Sequence, residues 1–284
     1  MSSSAHEAER PEIIRYGDRL KDRQALLSVD HLRHAQRESR RRAFERTASM
    51  NQRIIAPIAA ITSPDERLRE AARESVAAAR EAVESDTDGR WQRLLTSVRP
   101  CPPGYGPPYD HDYTTDLPDP IDHHDRMTGR IGSELVSAKW SSDDACTGVG
   151  IVVHAPIDGE MLVESRVIIE YAASVFALLG YARSAGYLVL WGVDLDPTEL
   201  ATSLRLDAER IWEIDAVGVA PLAGQGSGSW PSPHRLDLTM PVKANHDYFF
   251  AVELHQYAVA GGVFAYAGNG CSALVECITA KGMW

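Results

Sequence analysis

Hydrophobic and polar positions alternate most cleanly over residues 246–257, where Tyr248, Phe250, Val252 and Leu254 fall on one face of an extended chain. Side chains two apart point the same way in a strand, so a period of two predicts a strand with one face on a core. The pattern recurs from residue 131 onward. Val149, Ile151 and Val153 share a face. Met161, Val163, Val167 and Ile169 share another, with Glu164, Arg166 and Glu170 turned away. Leu236, Leu238 and Met240 alternate with Arg235, Asp237 and Thr239. Residues 187–193 are apolar on both faces and predict a central strand, and residues 211–219 and 271–280 supply two more. In the last of these, Cys271, Ala273, Val275 and Cys277 are expected on one face. The total is about eight strands with turn-rich joints, which predicts a two-sheet antiparallel β-sandwich, most simply a jelly roll. Helical spacing after residue 129 is confined to residues 197–204, too little for the crossovers of a parallel sheet.

Before residue 99 the period is helical. Ile13, Tyr16, Leu20 and Leu27 form one stripe, and Ile54, Ile55, Ile58 and Ile61 a second patch interrupted by Pro57. Ser63, Pro64 and Glu66 have the spacing of a helix start, with Ser63 as cap and Glu66 closing a capping box. Leu68, Ala72, Val76, Ala79 and Val83 follow as a narrow stripe that ends before Gly89. Small side chains bury little area, so this helix needs a surface to lie on: copies of itself, or the chain's own sandwich. The fold class is therefore α+β. Residues 1–98 are a helical arm, residues 99–128 a proline-rich linker, and residues 129–284 the sandwich domain.

Charge sharpens this division. Residues 1–98 carry 18 basic and 16 acidic side chains, and residues 99–284 carry 11 and 24. A sandwich that acidic repels phosphate, which argues against nucleic acid as a partner. The densest basic run, residues 37–46, is broken by Glu38 and Glu45 and reads as a solvated helix face. No stretch is long and apolar enough to span a membrane, and the first residues lack the apolar segment of a secretory signal, so cytoplasmic residence is expected. The four cysteines have no zinc-ligand spacing and read as buried thiols.

Candidate chemistry is sparse. Residues 100–125 hold seven prolines and two glycines, which exclude long regular structure. Tyr105, Tyr109 and Tyr113 are placed to pin this linker to the domain. Asp110, His111 and Asp112, then His123 and His124, offer carboxylate and imidazole groups suited to a divalent metal ion if folding gathers them; otherwise they are a solvated loop. Glu253 and His255 lie two apart on one predicted strand and share a face, as general acid–base chemistry or ligand binding requires. Trp191 and Trp212, with Trp230 and Trp284, are candidates for a sugar-stacking platform, though scattered tryptophans more often fill cores. Asp194, Asp196 and Glu199 read as an acidic turn rather than a calcium loop. Gly224, Gly226 and Gly228 precede Pro231 and Pro233 rather than a helix, so they read as a long hairpin loop and not a phosphate cradle. No serine-nucleophile elbow and no paired-histidine metal motif occurs, and no catalytic residue is assigned. These features predict a non-enzymatic assembly or recognition protein, a structural protein expected to form a homo-oligomer and to bind a protein or sugar. The alternatives are a carbohydrate- or small-ligand-binding sandwich and a metal-dependent enzyme built on the linker His/Asp cluster.

Overall fold

The computed structural model describes residues 66–283 apart from 85–86, 103–104, 115–122, 139, 197, 219 and 263, together with Ile14, Arg15 and scattered helical residues between Glu38 and Pro57. The side chains of the first helical stripe and the Ser63 cap lie outside the described residues, but Ile14 and Arg15 within that stretch form a short strand opposite His154 and Val153, where the sequence predicts helix. Two antiparallel sheets pack face to face as a β-sandwich.

One sheet, sheet A, contains β1 (Ile14–Arg15), β2 (His111–Thr114), β5 (Ser141–Ala155), β7 (Gly180–Asp194), β8 (Arg205–Gly218) and β10 (His246–Gly261). Its order is β1-β5-β10-β7-β8, with β2 also paired to β5. Sheet B contains β3 (His123–Asp125), β4 (Arg130–Ala138), β6 (Gly159–Leu178), β9 (Leu222–Val242) and β11 (Phe264–Met283), in the order β3-β4-β11-β6-β9. From β4 onward the pairing is nested: β4 with β11, β5 with β10, β6 with β9 and β7 with β8. Among the described residues no helix is long and apolar enough to cross a membrane.

The alternation read from sequence fills the space between the sheets. Val149, Ile151, Val153, Leu188, Leu190, Tyr248, Phe250, Val252 and Leu254 of sheet A meet Met161, Val163, Val167, Ile169, Leu236, Leu238 and Met240 of sheet B. Inside this apolar layer runs a polar chain. The Gln256 amide donates to Asn269 Oδ1 at 2.7 Å, and Asn269 Nδ2 donates to Ser184 Oγ at 3.0 Å. Trp212 Nε1 reaches the same hydroxyl at 3.1 Å. Buried amides hold one geometry only when paired, so this chain fixes how β10, β11 and β7 sit against one another.

Two expectations about β9 and β11 are corrected. Gly224, Gly226 and Gly228 form no loop: they belong to β9 and pair with Val175, Ala173 and Tyr171 of β6. A Cβ on Gly224 or Gly226 would meet the Ile214 side chain at 2.7 Å, so the glycines admit that side chain from β8 of the other sheet. β9 is a sheet edge, where prolines such as Pro231 and Pro233 cost fewer ladder hydrogen bonds. In β11 a bulge between Val275 and Cys277 shifts the register. Cys271, Ala273 and Val275 face the core, followed by Ile278 and Ala280, and Cys277 is displaced from that row.

Helix α1 (Glu66–Glu84) and helix α2 (Thr87–Thr96) lie on the outer face of sheet B. Of the two surfaces open to the small-residue stripe, it takes the chain's own sandwich. Ala72 and Ala79 are buried against Phe176, Leu178, Leu179 and Tyr266, with Leu68 and Val76 at the margin. Trp91 and Leu94 of α2 cover Ile168 and Leu274. Arg90 inserts beneath the helices and donates to Glu134 Oε1 at 3.0 Å; Gly270 below it has no Cβ, which would stand 2.7 Å from the guanidinium. Ala79 itself lies among the apolar side chains of Phe176, Leu178, Leu179 and Tyr266, so a charge placed there is desolvated. Ala79→Asp is expected to cost about 3 kcal/mol and to lower the midpoint of a urea melt accordingly. An unchanged midpoint would show that the stripe is not held against sheet B.

Candidate functional site

On β10 the side chains that do not enter the sandwich core point to the outer face of sheet A. Phe249, Ala251, Glu253, His255 and Tyr257 form this second row. Register places Glu253 opposite Gly148 of β5 and Val189 of β7, and His255 opposite Cys146 and Tyr187. Glu253 and His255 share a face, as their spacing predicts, yet that face is closed: they are 4% and 5% exposed. Tyr113, Trp191, Val193, Leu195 and Phe249 pack over it as a second apolar cluster with Cys146 and Val152.

Two glycines make the cover possible. The backbone of β2 runs beside β5, with Tyr113 paired to Gly148. A Cβ on Gly148 would stand 2.6 Å from the Tyr113 ring, and one on Gly150 would stand 2.5 Å from the Phe249 ring. With hydrogen at these positions both rings can approach the sheet closely.

The polar atoms converge. The Tyr113 hydroxyl donates to Glu253 Oε1 at 2.5 Å, and Trp191 Nε1 donates to the same hydroxyl oxygen at 3.3 Å. The other Glu253 oxygen contacts His255 Nε2. Cys146 Sγ stands 3.3 Å from that same nitrogen. An imidazole nitrogen carries at most one proton, so it donates to the carboxylate or accepts from the thiol, but not both. A nucleophile relay needs the base on one ring nitrogen and the orienting acid on the other, and here both partners meet Nε2. The donor atoms of Cys146, Glu253 and His255 all lie within 4.8 Å of one another, the one such group of three found among the described residues.

The linker residues are placed differently. Asp110 Oδ2 accepts from the Val152 amide at 2.8 Å, and Asp112 Oδ2 from the Arg126 amide at 3.2 Å. These carboxylates hold the linker on β5 and at the turn before β4. His111 packs against Tyr113 and Phe249 with ring centroids 5.8 and 6.0 Å away. His124 is exposed on β3, and the side chain of His123 lies outside the described residues. Among the described residues, Asp110, His111, Asp112 and His124 form no ligand group. The tyrosines pin the linker as expected: Tyr109 donates to the Val275 carbonyl at 3.0 Å and Tyr105 to that of Ala280 at 3.3 Å.

Of the tryptophans, Trp191 belongs to the cluster. Trp212 lies in the sandwich core, stacked on Tyr171 at 4.7 Å, and does not meet Trp191, Glu253 or His255. Trp284 and the side chain of Trp230 lie outside the described residues. Asp194 and Asp196 make an acidic turn: Asp194 Oδ1 accepts from the Asp196 amide, and Asp196 Oδ1 from the Thr198 amide, both at 2.9 Å. Sequence reasoning missed Cys146 and Tyr113. Cys146 begins a run in which Gly148 and Gly150 alternate with Thr147 and Val149, and glycines alternating on one strand face are the available signal that something lies close above it.

No protein-family model matches this chain, and no curated protein matches it by sequence.

Burial pushes the thiol of half-buried Cys101 up to about 12, helped by the neighbouring Cys277 thiol. Burial also raises the Cys271 thiol. Both stay protonated at neutral pH. Alkylation of Cys101, measured against a Cys101→Ser control, is expected to keep accelerating above about pH 10, where an ordinary thiol has levelled off. A plateau by about pH 10 would contradict the burial. Gly148→Ala is expected to force Tyr113 off the sheet and to cost roughly 1–3 kcal/mol in a denaturant melt. A neutral effect would mean that the ring does not rest on β5.

Proposed function

We propose that this chain is a non-enzymatic recognition protein of jelly-roll topology, with helices on sheet B and a small-ligand-binding centre on sheet A at Tyr113, Cys146, Trp191, Glu253 and His255. The nested pairing from β4–β11 to β7–β8 supports the topology, since it is that of one long hairpin rolled into two sheets. The observation that carries the function is the burial of a carboxylate, an imidazole, a thiol, a phenol and an indole N–H together on the outer face of a sheet. Desolvating such groups is costly, and sites that bind ligands are where this cost is met.

The convergence of both partners on His255 Nε2 favours binding over a nucleophile relay. A small ligand is favoured over a sugar stacked on an open ring, because Trp191 is buried and packs edge-on to Phe249 at 5.3 Å. Assembly through the α1 stripe loses its support, since that stripe is occupied by sheet B.

The test is a thermal-shift screen of the full chain with divalent metal ions, small carboxylates and monosaccharides, run beside a Glu253→Gln/His255→Gln variant. A ligand at about a hundred times its Kd is expected to raise the melting temperature of the wild type by about 5–10 °C and to leave the variant unmoved. Equal shifts in both proteins, or none in either, would overturn the reading.

A further inference from the structure

The three side chains that meet at His255 Nε2 differ in chemistry but match as ligands. Cys146 offers sulfur, His255 nitrogen and Glu253 oxygen, and their donor atoms lie within 4.8 Å of one another. We propose that they bind one divalent transition-metal ion of the zinc and cobalt class. The inference rests on the reading of this cluster as the binding centre and names its ligand.

The donor set chooses the metal. A thiolate with an imidazole disfavours magnesium and calcium, which take oxygen ligands, and a single carboxylate completes a mixed set suited to borderline ions. Three protein ligands leave a fourth position of a tetrahedral ion open to water or an exogenous group. The sheet supplies the spacing. Cys146 and His255 are register partners on adjacent strands, and Glu253 is two residues from His255 on the same face. Metal–ligand bonds of about 2.3 Å to sulfur and 2.0 Å to nitrogen put tetrahedral ligand atoms about 3.5 Å apart. The Cys146 Sγ to His255 Nε2 distance is 3.3 Å.

The surroundings are those of a supported ligand set. Tyr113 holds the Glu253 oxygen that faces away from His255, and Trp191 holds Tyr113. Such outer hydrogen bonds orient a ligating carboxylate and are part of how metal sites gain affinity. Binding releases the Cys146 thiol proton to solvent and leaves thiolate, carboxylate and neutral imidazole on the ion, with no change of oxidation state.

The full chain, stripped with a chelator and dialysed, is titrated with Co2+ alone. One equivalent is expected to bind, with a thiolate-to-cobalt charge-transfer band in the near ultraviolet and the strong visible bands of four-coordinate cobalt. One equivalent of Zn2+ should bleach both. Cys146→Ser keeps the shape of the side chain and should abolish the charge-transfer band. His255→Gln should weaken binding at least about tenfold, and Tyr113→Phe, which removes the supporting hydroxyl with its bonds to Glu253 and Trp191 and no proposed ligand atom, should weaken it about tenfold. Cys101→Ser should leave the spectrum unchanged. Thermal melts show whether each variant is folded, and Tyr113→Phe and Cys101→Ser keep the assignment testable should His255→Gln unfold. Failure of the wild type to bind cobalt, or a charge-transfer band that survives Cys146→Ser, overturns the metal assignment. If cobalt fails while the screen finds another ligand lost in the Glu253→Gln/His255→Gln variant, the binding centre stands without a metal. If both fail, the two readings fall together.

Discussion

The register of β10 is the constraint on which the rest depends. This strand lies between β5 and β7, and both of its faces are buried. Its even-numbered residues from Tyr248 to Leu254 fill the sandwich, and its odd-numbered ones from Phe249 to Tyr257 form the outer row. A slip of one residue would drive Glu253 and His255 into the apolar layer and turn Phe250 and Val252 out. The core and the polar cluster are therefore specified by one pairing. The Gln256 and Asn269 side chains, joined across the sheets at 2.7 Å, hold it from the inside.

The two outer faces are closed by different means, and the difference separates scaffold from site. Sheet B is covered by helices whose contacts are mainly apolar, with two ion pairs, Arg90 with Glu134 and Arg93 with Glu170, each joining one arginine to one carboxylate. Sheet A is covered by aromatic rings from β2 and β7 that bring hydrogen bonds with them. Tyr113 comes from the linker, so the segment that joins the helices to the sandwich also finishes the cluster. Asp110 and Asp112, placed on backbone amides, fix where that segment runs. Residues that look like metal ligands in sequence thus act as struts, a role fixed by strands far away in the chain.

What was legible in the sequence follows from range. Alternation on β10, β6 and β9 is local, and it gave the core side chains and the shared face of Glu253 and His255. The stripe on α1 is local too, and it named the buried face without naming the surface it meets. The site was half visible because Cys146 and His255 are 109 residues apart and meet only through the β5–β10 register. Tyr113 and Glu253 are 140 apart. Gly224 and Gly226 read as loop because their reason lies on β8, where Ile214 needs the room. The bulge at Glu276 left no mark in the hydrophobic pattern and moved Cys277 off its predicted face.

Packing alone does not account for the cluster. The neighbouring positions on the same face, Phe249 and Ala251, show that apolar side chains fit this layer. A buried ion pair or hydrogen-bonded pair of carboxylate and imidazole is commonly no more stable than hydrophobic side chains of the same volume, because desolvation offsets the attraction. Here the sheet also forgoes two side chains, at Gly148 and Gly150, to let rings approach. The room made at Gly148 brings the Tyr113 hydroxyl onto Glu253, so the backbone of β5 as well as the side chains of β10 is shaped around the point where sulfur, nitrogen and oxygen donors meet.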